Sequence, residues 1–239
     1  ADIVLTDDNF TTIVSAIEEG RIVFQNIKKV IVLLLSTGMA EIVVLLLALV
    51  LGFPPPFLAV QILWNNVVTE GTITINLTMD PASGDEMSRQ PLQRGAPILD
   101  GMSLFRVVMM GLTIAGVTLG FFAYRTHSGV SLEYARTSTF TLLAICEWFN
   151  VLSCRSETRS ALSLDFLRNH WLVAGLSASV LLQLAVVYVP ALNKIFYTTP
   201  LPLEEMLLVV AAGSAVFWVE EIRKWFARRR VYSQAPSAA

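Results

Sequence analysis

Charge is what this chain has least of. Of its 239 residues only 15% are Asp, Glu, Lys or Arg, where ordinary soluble domains carry about 25%. Cysteine is almost missing as well. Cys146 and Cys154 lie eight positions apart in one predicted helix, too distant for a disulfide between them. Neither of the two histidines falls in an apolar run, so a soft-metal site built from imidazole and thiolate lacks its ligands. The opening Ala-Asp-Ile-Val-Leu-Thr-Asp-Asp-Asn-Phe has neither the charged start nor the short apolar core of a secretory signal. No repeat of 20–50 residues is visible.

What is abundant is long hydrophobic sequence. Apolar residues make up 54% of the chain, and the mean hydropathy is +0.62. Apolar windows fall at about 27–51, 57–77, 103–124, 138–153, 171–190 and 203–222. About 20 helical residues span a bilayer core at 1.5 Å rise each. The expected fold is therefore an all-α integral membrane protein. A six-helix bundle should occupy 26–230, with both ends on one side, followed by a disordered tail at 231–239.

The basic residues orient it. Arg21, Lys28 and Lys29 precede the first window, Arg89 and Arg94 follow the second, and Arg155, Arg159 and Arg168 follow the fourth. Arg223, Lys224, Arg228, Arg229 and Arg230 follow the sixth, whereas the opposite loops hold Arg125, Arg136 and Lys194. The positive-inside rule puts both termini in the cytoplasm. The partner this implies is a lipid bilayer, with a plasma membrane as the expected location, and the basic tail calls for no nucleic acid.

Three glutamates interrupt the apolar windows: Glu41, Glu70 and Glu147. Left facing lipid, three carboxylates would together cost roughly 7–10 kcal/mol. They should face one another or a polar cavity. Asn66, Thr69 and Glu70, at i, i+3 and i+4, share one face of an α-helix. Glu147 and Asn150 form a second polar pair, and Ser36 and Thr37 lie about one turn before Glu41. Hard cations take six or more oxygens, and Glu41, Asn66, Thr69, Glu70, Glu147 and Asn150 together offer most of that number. Emptied of a cation, clustered carboxylates repel one another and tend to take up protons, which points to counter-transport. Asn76 and Gln183 are expected to bridge helices. Glu204, Glu205, Glu220 and Glu221 are expected at the interface.

Residues 1–25 are of another kind. Asp2-Ile3-Val4-Leu5 resembles the end of a buried strand, and Thr6-Asp7-Asp8-Asn9 a helix-cap signal. A strand and helix this short bury no core alone, and the chain lacks an initiator Met, so they are expected to be the last piece of a cytoplasmic α/β domain. The helix should continue, with a break allowed at Gly20, into the first span as a stalk. Gly52-Phe53-Pro54-Pro55-Pro56-Phe57 reads as a tight external turn.

The segment Asp2-Ile3-Val4-Leu5-x-Asp7-Asp8-Asn9-Phe10-x-x-Ile13-x-x-Ala16-x-x-Glu19-Gly20-Arg21 resembles the end of the phosphorylation domain of P-type cation-transporting ATPases. Gln61 to Gly71 resembles their sixth transmembrane helix, and Asp80-Pro81 with Met87-Ser88-Arg89-Gln90-Pro91 the loop after it. The likeness runs to about residue 230 and is nearest the calcium, sodium–potassium and proton-pump branch. It implies that the six spans are the fifth to tenth helices of such a pump. It also implies an N-terminal remainder of the pump as partner, with ATP and Mg acting only in that full-length parent and no catalytic residue in this chain. Glu41, Asn66, Thr69, Glu70 and Glu147 match ion-coordinating positions of calcium-type pumps, and Asn150 a neighbouring polar one. Gly38 stands where those pumps have a ligating Asn, and Glu70 replaces an Asp. One of two calcium-like sites is then altered or absent. The alternative is a six-span secondary transporter or channel independent of ATP, although no inverted repeat is evident.

Overall fold

The computed structural model describes residues 9–82, 84–88, 95, 97–157, 159–161 and 168–234, with the side chains of 230–234 excepted. The described residues are helical, with no strand. The strand and turn expected at residues 2–8 lie outside them, as do residues 235–239 of the expected tail.

Helix α1 runs unbroken from Phe10 to Val50, capped by Asn9, whose side chain accepts from the Thr11 amide at 3.1 Å. Gly20 introduces no break, because both flanks are strong helix formers. Gly52 takes a φ of +74° in the turn that follows, a conformation only glycine adopts cheaply. The second window is a composite of α2 (Ala59–Trp64), a π-helical segment (Asn65–Glu70) and α3 (Gly71–Leu77). A short 3₁₀ turn at Glu86–Ser88 follows. The remaining helices are α4 (Gly101–His127), α5 (Leu132–Cys154), α6 (His170–Tyr188), α7 (Pro190–Phe196) and α8 (Leu203–Gln234). Asp100, Ser131 and Asn169 cap α4, α5 and α6 through their side chains, satisfying amides that helix starts leave open.

Each expected window lies on a helix, yet by length and composition α1, α4 and α6 alone qualify among the described residues as membrane-crossing. That is three, against an expected six. The physical reasons differ. The second window is cut into pieces by the π segment, α5 carries Thr137, Ser138, Thr139, Thr141 and Glu147, and α8 carries four glutamates and a basic end.

Packing places α1 on α4, α5 on α8 and α3 on α6, while α4 also touches α5 and α8. Gly175 lets α6 approach α3 so closely that an added Cβ would sit 2.5 Å from the Thr72 carbonyl, the small-residue contact typical of membrane helices. Gln183 accepts from Trp64 Nε1 at 3.2 Å and so joins α6 to α2. Asn76 instead donates within its own helix, to the Thr72 carbonyl. Glu205 and Glu220 depart from the interfacial expectation. Both are buried, at 3% and 0% exposure. Glu220 pairs with Arg106 of α4 at 2.7 Å, and Glu205 with Arg125. A buried charge is tolerable only when paired in this way.

Candidate functional site

The three glutamates come from three different elements: Glu41 from the last third of α1, Glu70 from the π segment and Glu147 from α5. All are buried, at 7%, 5% and 0% exposure. Among the described residues, the side chains that donate to them are neutral amides and a hydroxyl. Asn65 Nδ2 donates to Glu41 Oε1 at 3.2 Å and also to Glu147 Oε1. Asn66 Nδ2 donates to both Glu41 oxygens, at 3.2 and 2.9 Å. Thr37 Oγ1 donates to Glu70 Oε1. One asparagine amide thus bridges α1 and α5, and a threonine ties α1 to the π segment.

The π winding explains which residues reach the cluster. On an α-helix Asn65 and Glu70 would point about 140° apart. The i→i+5 pattern packs more residues into the turn and brings Asn65, Thr69 and Glu70 to the buried face. Asn66 is left on the exposed side while still reaching Glu41. Sequence reasoning assumed regular winding and so passed over Asn65. The Asn65-Asn66 doublet beside an acidic residue was the available signal. Asn150 is buried and, among the described residues, bonds to no carboxylate: it donates to Ser36 Oγ at 2.9 Å and accepts from Cys154 Sγ at 3.5 Å. Gly38 has open space around it, with nothing within 4 Å of an added Cβ.

Three oxygens in this region are buried without a hydrogen-bond partner: Asn65 Oδ1, Thr69 Oγ1 and Glu147 Oε2. Buried polar atoms are nearly always satisfied, so three orphaned oxygens close to the carboxylates leave hydrogen-bond demand unmet in this region. Among the described residues, His, Cys, Asp and Glu side chains alone form no group of three or more able to hold a metal ion. Any cation here therefore depends on amide and hydroxyl oxygens as well.

A family described as cation transporting ATPase, C-terminus, matches residues 54–226. The chain belongs to that family. It is 38% identical over 96% of its length to calcium-transporting ATPase 1 of Schizosaccharomyces pombe, covering 26% of that protein. It is 37% identical over 90% of its length to a probable cation-transporting ATPase F of Mycobacterium bovis, covering 24%. Against calcium-transporting ATPase type 2C member 2 of Mus musculus it is 35% identical over its whole length, covering 26%. The chain thus spans about a quarter of the curated relatives it matches. Family membership and helices apolar enough to cross a bilayer make this an integral membrane segment of a P-type cation-transporting ATPase.

Proposed function

We propose that this segment is the cation-binding membrane half of an ATP-driven pump, and that Glu41, Asn66, Thr69, Glu70 and Glu147 supply oxygens to the transported ion. Asn65 and Thr37 join that set, and Asn150 supports it from one turn away. The observation that carries the reading is that the Asn65 amide bridges Glu41 and Glu147 while Thr37 of α1 holds Glu70, beside the orphaned oxygens of Asn65, Thr69 and Glu147. Rotating the Asn65 amide by half a turn would present Oδ1 in place of its N–H groups. With the carboxylates, Thr37 and Thr69, that approaches the six or more oxygens a hard cation takes. The names of the relatives favour calcium, although Gly38 contributes no ligand.

The bundle crosses the membrane six times, with both termini in the cytoplasm and a plasma membrane as its home. Residues 1–25 end the phosphorylation domain and begin the stalk, and 26–230 form the transmembrane domain, with α8 continuing to Gln234 where a tail was expected to start at 231. In the complete protein ATP, with Mg, phosphorylates an aspartate outside this segment. The resulting domain movement reaches Glu41 along α1. Pumping requires different cation affinity in the two conformations, and a buried carboxylate cluster emptied of its ion takes up protons on the return.

The test is transport by the full-length protein in sealed vesicles. Wild-type cation uptake should be accompanied by proton movement in the opposite direction, and Glu70→Gln should raise the half-saturating cation concentration at least about tenfold. Cation uptake with no pH coupling would remove the counter-transport part. Unchanged affinity in Glu70→Gln would remove the site.

A further inference from the structure

Ten residues beyond Glu70, past the end of α3, one carboxylate gathers partners from three other helices. Asp80 is 5% exposed. Its Oδ2 accepts from Lys29 Nζ of α1 at 2.7 Å. Its Oδ1 accepts from Arg155, at the end of α5, through Nε and Nη2, each at 2.8 Å. Asn169, which caps α6, donates to the same oxygen at 3.2 Å and to the Asn76 carbonyl at 3.2 Å. From α1, Asn26 Nδ2 adds bonds to the Thr78 and Asp80 carbonyls at 3.1 and 2.8 Å.

Three of the elements held here are those that carry the glutamates. Lys29 precedes Glu41 by twelve residues, Asp80 follows Glu70 by ten, and Arg155 follows Glu147 by eight. At 1.5 Å rise per residue, each helix runs about 12–18 Å from the Asp80 cluster to its glutamate. A shared anchor at that depth fixes the axial level and rotation of all three carboxylates relative to one another. A charge-assisted contact with fork-shaped guanidinium geometry is suited to that, because it constrains direction as well as distance.

We propose that Asp80 is a positioning residue for the cation site: it clasps α1, α3 and α5 so that their carboxylates meet, and its loss weakens cation binding without removing a ligand. This rests on the cation-site reading above. A merely structural tie would behave differently, and the molecule contains its own control. The Arg106–Glu220 pair is equally buried, with contact at 2.7 Å, and ties α8 to α4; Arg106 also donates to the Ser153 carbonyl of α5 at 2.8 Å, so the control alters Glu220, on α8, and leaves that bond in place.

The experiment measures cation-stimulated ATPase activity of the full-length protein in native membranes, with calcium, manganese and sodium as probes. Asp80→Asn should raise the half-saturating concentration of the stimulating cation about tenfold while largely preserving the maximal rate, and Asp80→Glu should recover most of the affinity. Glu220→Gln should lower thermal stability in detergent yet leave the half-saturating concentration unchanged. Equal affinity shifts in Asp80→Asn and Glu220→Gln, or no shift in Asp80→Asn, would overturn the proposal. If Asp80→Asn fails to accumulate, Arg155→Lys, which keeps the charge and loses the fork, is read by the same criterion. Glu70→Gln, assayed alongside, separates the two ideas. Unchanged activation in that variant would sink the cation site itself, whereas loss there with no effect at Asp80 would sink only the clasp.

Discussion

Individual side chains in this protein carry burdens that their sequence neighbours do not reveal. Asp100 is a plain example outside the membrane. It caps α4 and accepts from the Ser103 amide at 2.9 Å. The Ser103 hydroxyl holds its carboxyl below the usual range, helped by that amide and by Lys28, while burial opposes them. A carboxyl depressed on folding stabilises above its unfolded value of about 3.9 and loses that contribution as pH falls through the folded value. Amide hydrogen exchange in the first turn of α4 should therefore accelerate below about pH 4. Asp100→Asn should blunt that acid response while keeping a cap, and Asp100→Ala should lose about 1 kcal/mol of local stability at neutral pH. An unchanged acid response in Asp100→Asn would contradict this account. The intramembrane glutamates were legible as an energetic anomaly because apolar runs make any charge conspicuous. Asn65 was not. A neutral amide beside another amide carries no such contrast, and only the local winding reveals which of the two faces inward. Arg106 was also missed, since its pairing with Glu220 spans 114 positions that no local pattern connects.

At the scale of elements, the π segment is the feature that brings Asn65, Thr69 and Glu70 to one buried face. Regular α winding would turn Asn65 away from Glu70, separating the amide that bridges Glu41 and Glu147 from the third carboxylate. Such segments behave as single-residue insertions within an α-helix. Asn65→Ala removes the bridging amide and leaves the backbone winding in place. The protein should still accumulate in the membrane, yet half-maximal activation should need at least about tenfold more cation as the bridge is lost. Wild-type cation affinity in Asn65→Ala would show the inward turn of that amide to be incidental. The helices themselves were readable from apolar runs, and the start of α1 from its Asn9 cap. Which of them qualify as membrane-crossing was not, because α5 and α8 bury polar and charged groups against neighbours instead of presenting a uniformly apolar surface. Helix α8 shows the point: its Glu205 and Glu220 look interfacial in sequence and are buried because Arg125 and Arg106 meet them.

For the whole molecule, the chain is one part of a larger machine: it belongs to the C-terminal family of cation-transporting ATPases and covers about a quarter of the relatives it matches. Its architecture suits that place. On the proposed reading, the 41-residue helix α1 would connect the side on which the ATP-driven domains sit with Glu41, and the Asp80 clasp would lie between the two. Movement entering along α1 would then reach all three carboxylates together. The central claim is that Glu41, Glu70 and Glu147 form one cation site. It is tested most directly by equilibrium binding of radioactive calcium to the purified full-length protein, with manganese and sodium as competitors, in wild type and in the three single Glu→Gln variants. The account predicts saturable binding in the wild type, displaced by whichever ion is the true cargo and weakened at least about tenfold by each of the three substitutions. Saturable binding that survives all three substitutions with wild-type affinity would contradict it.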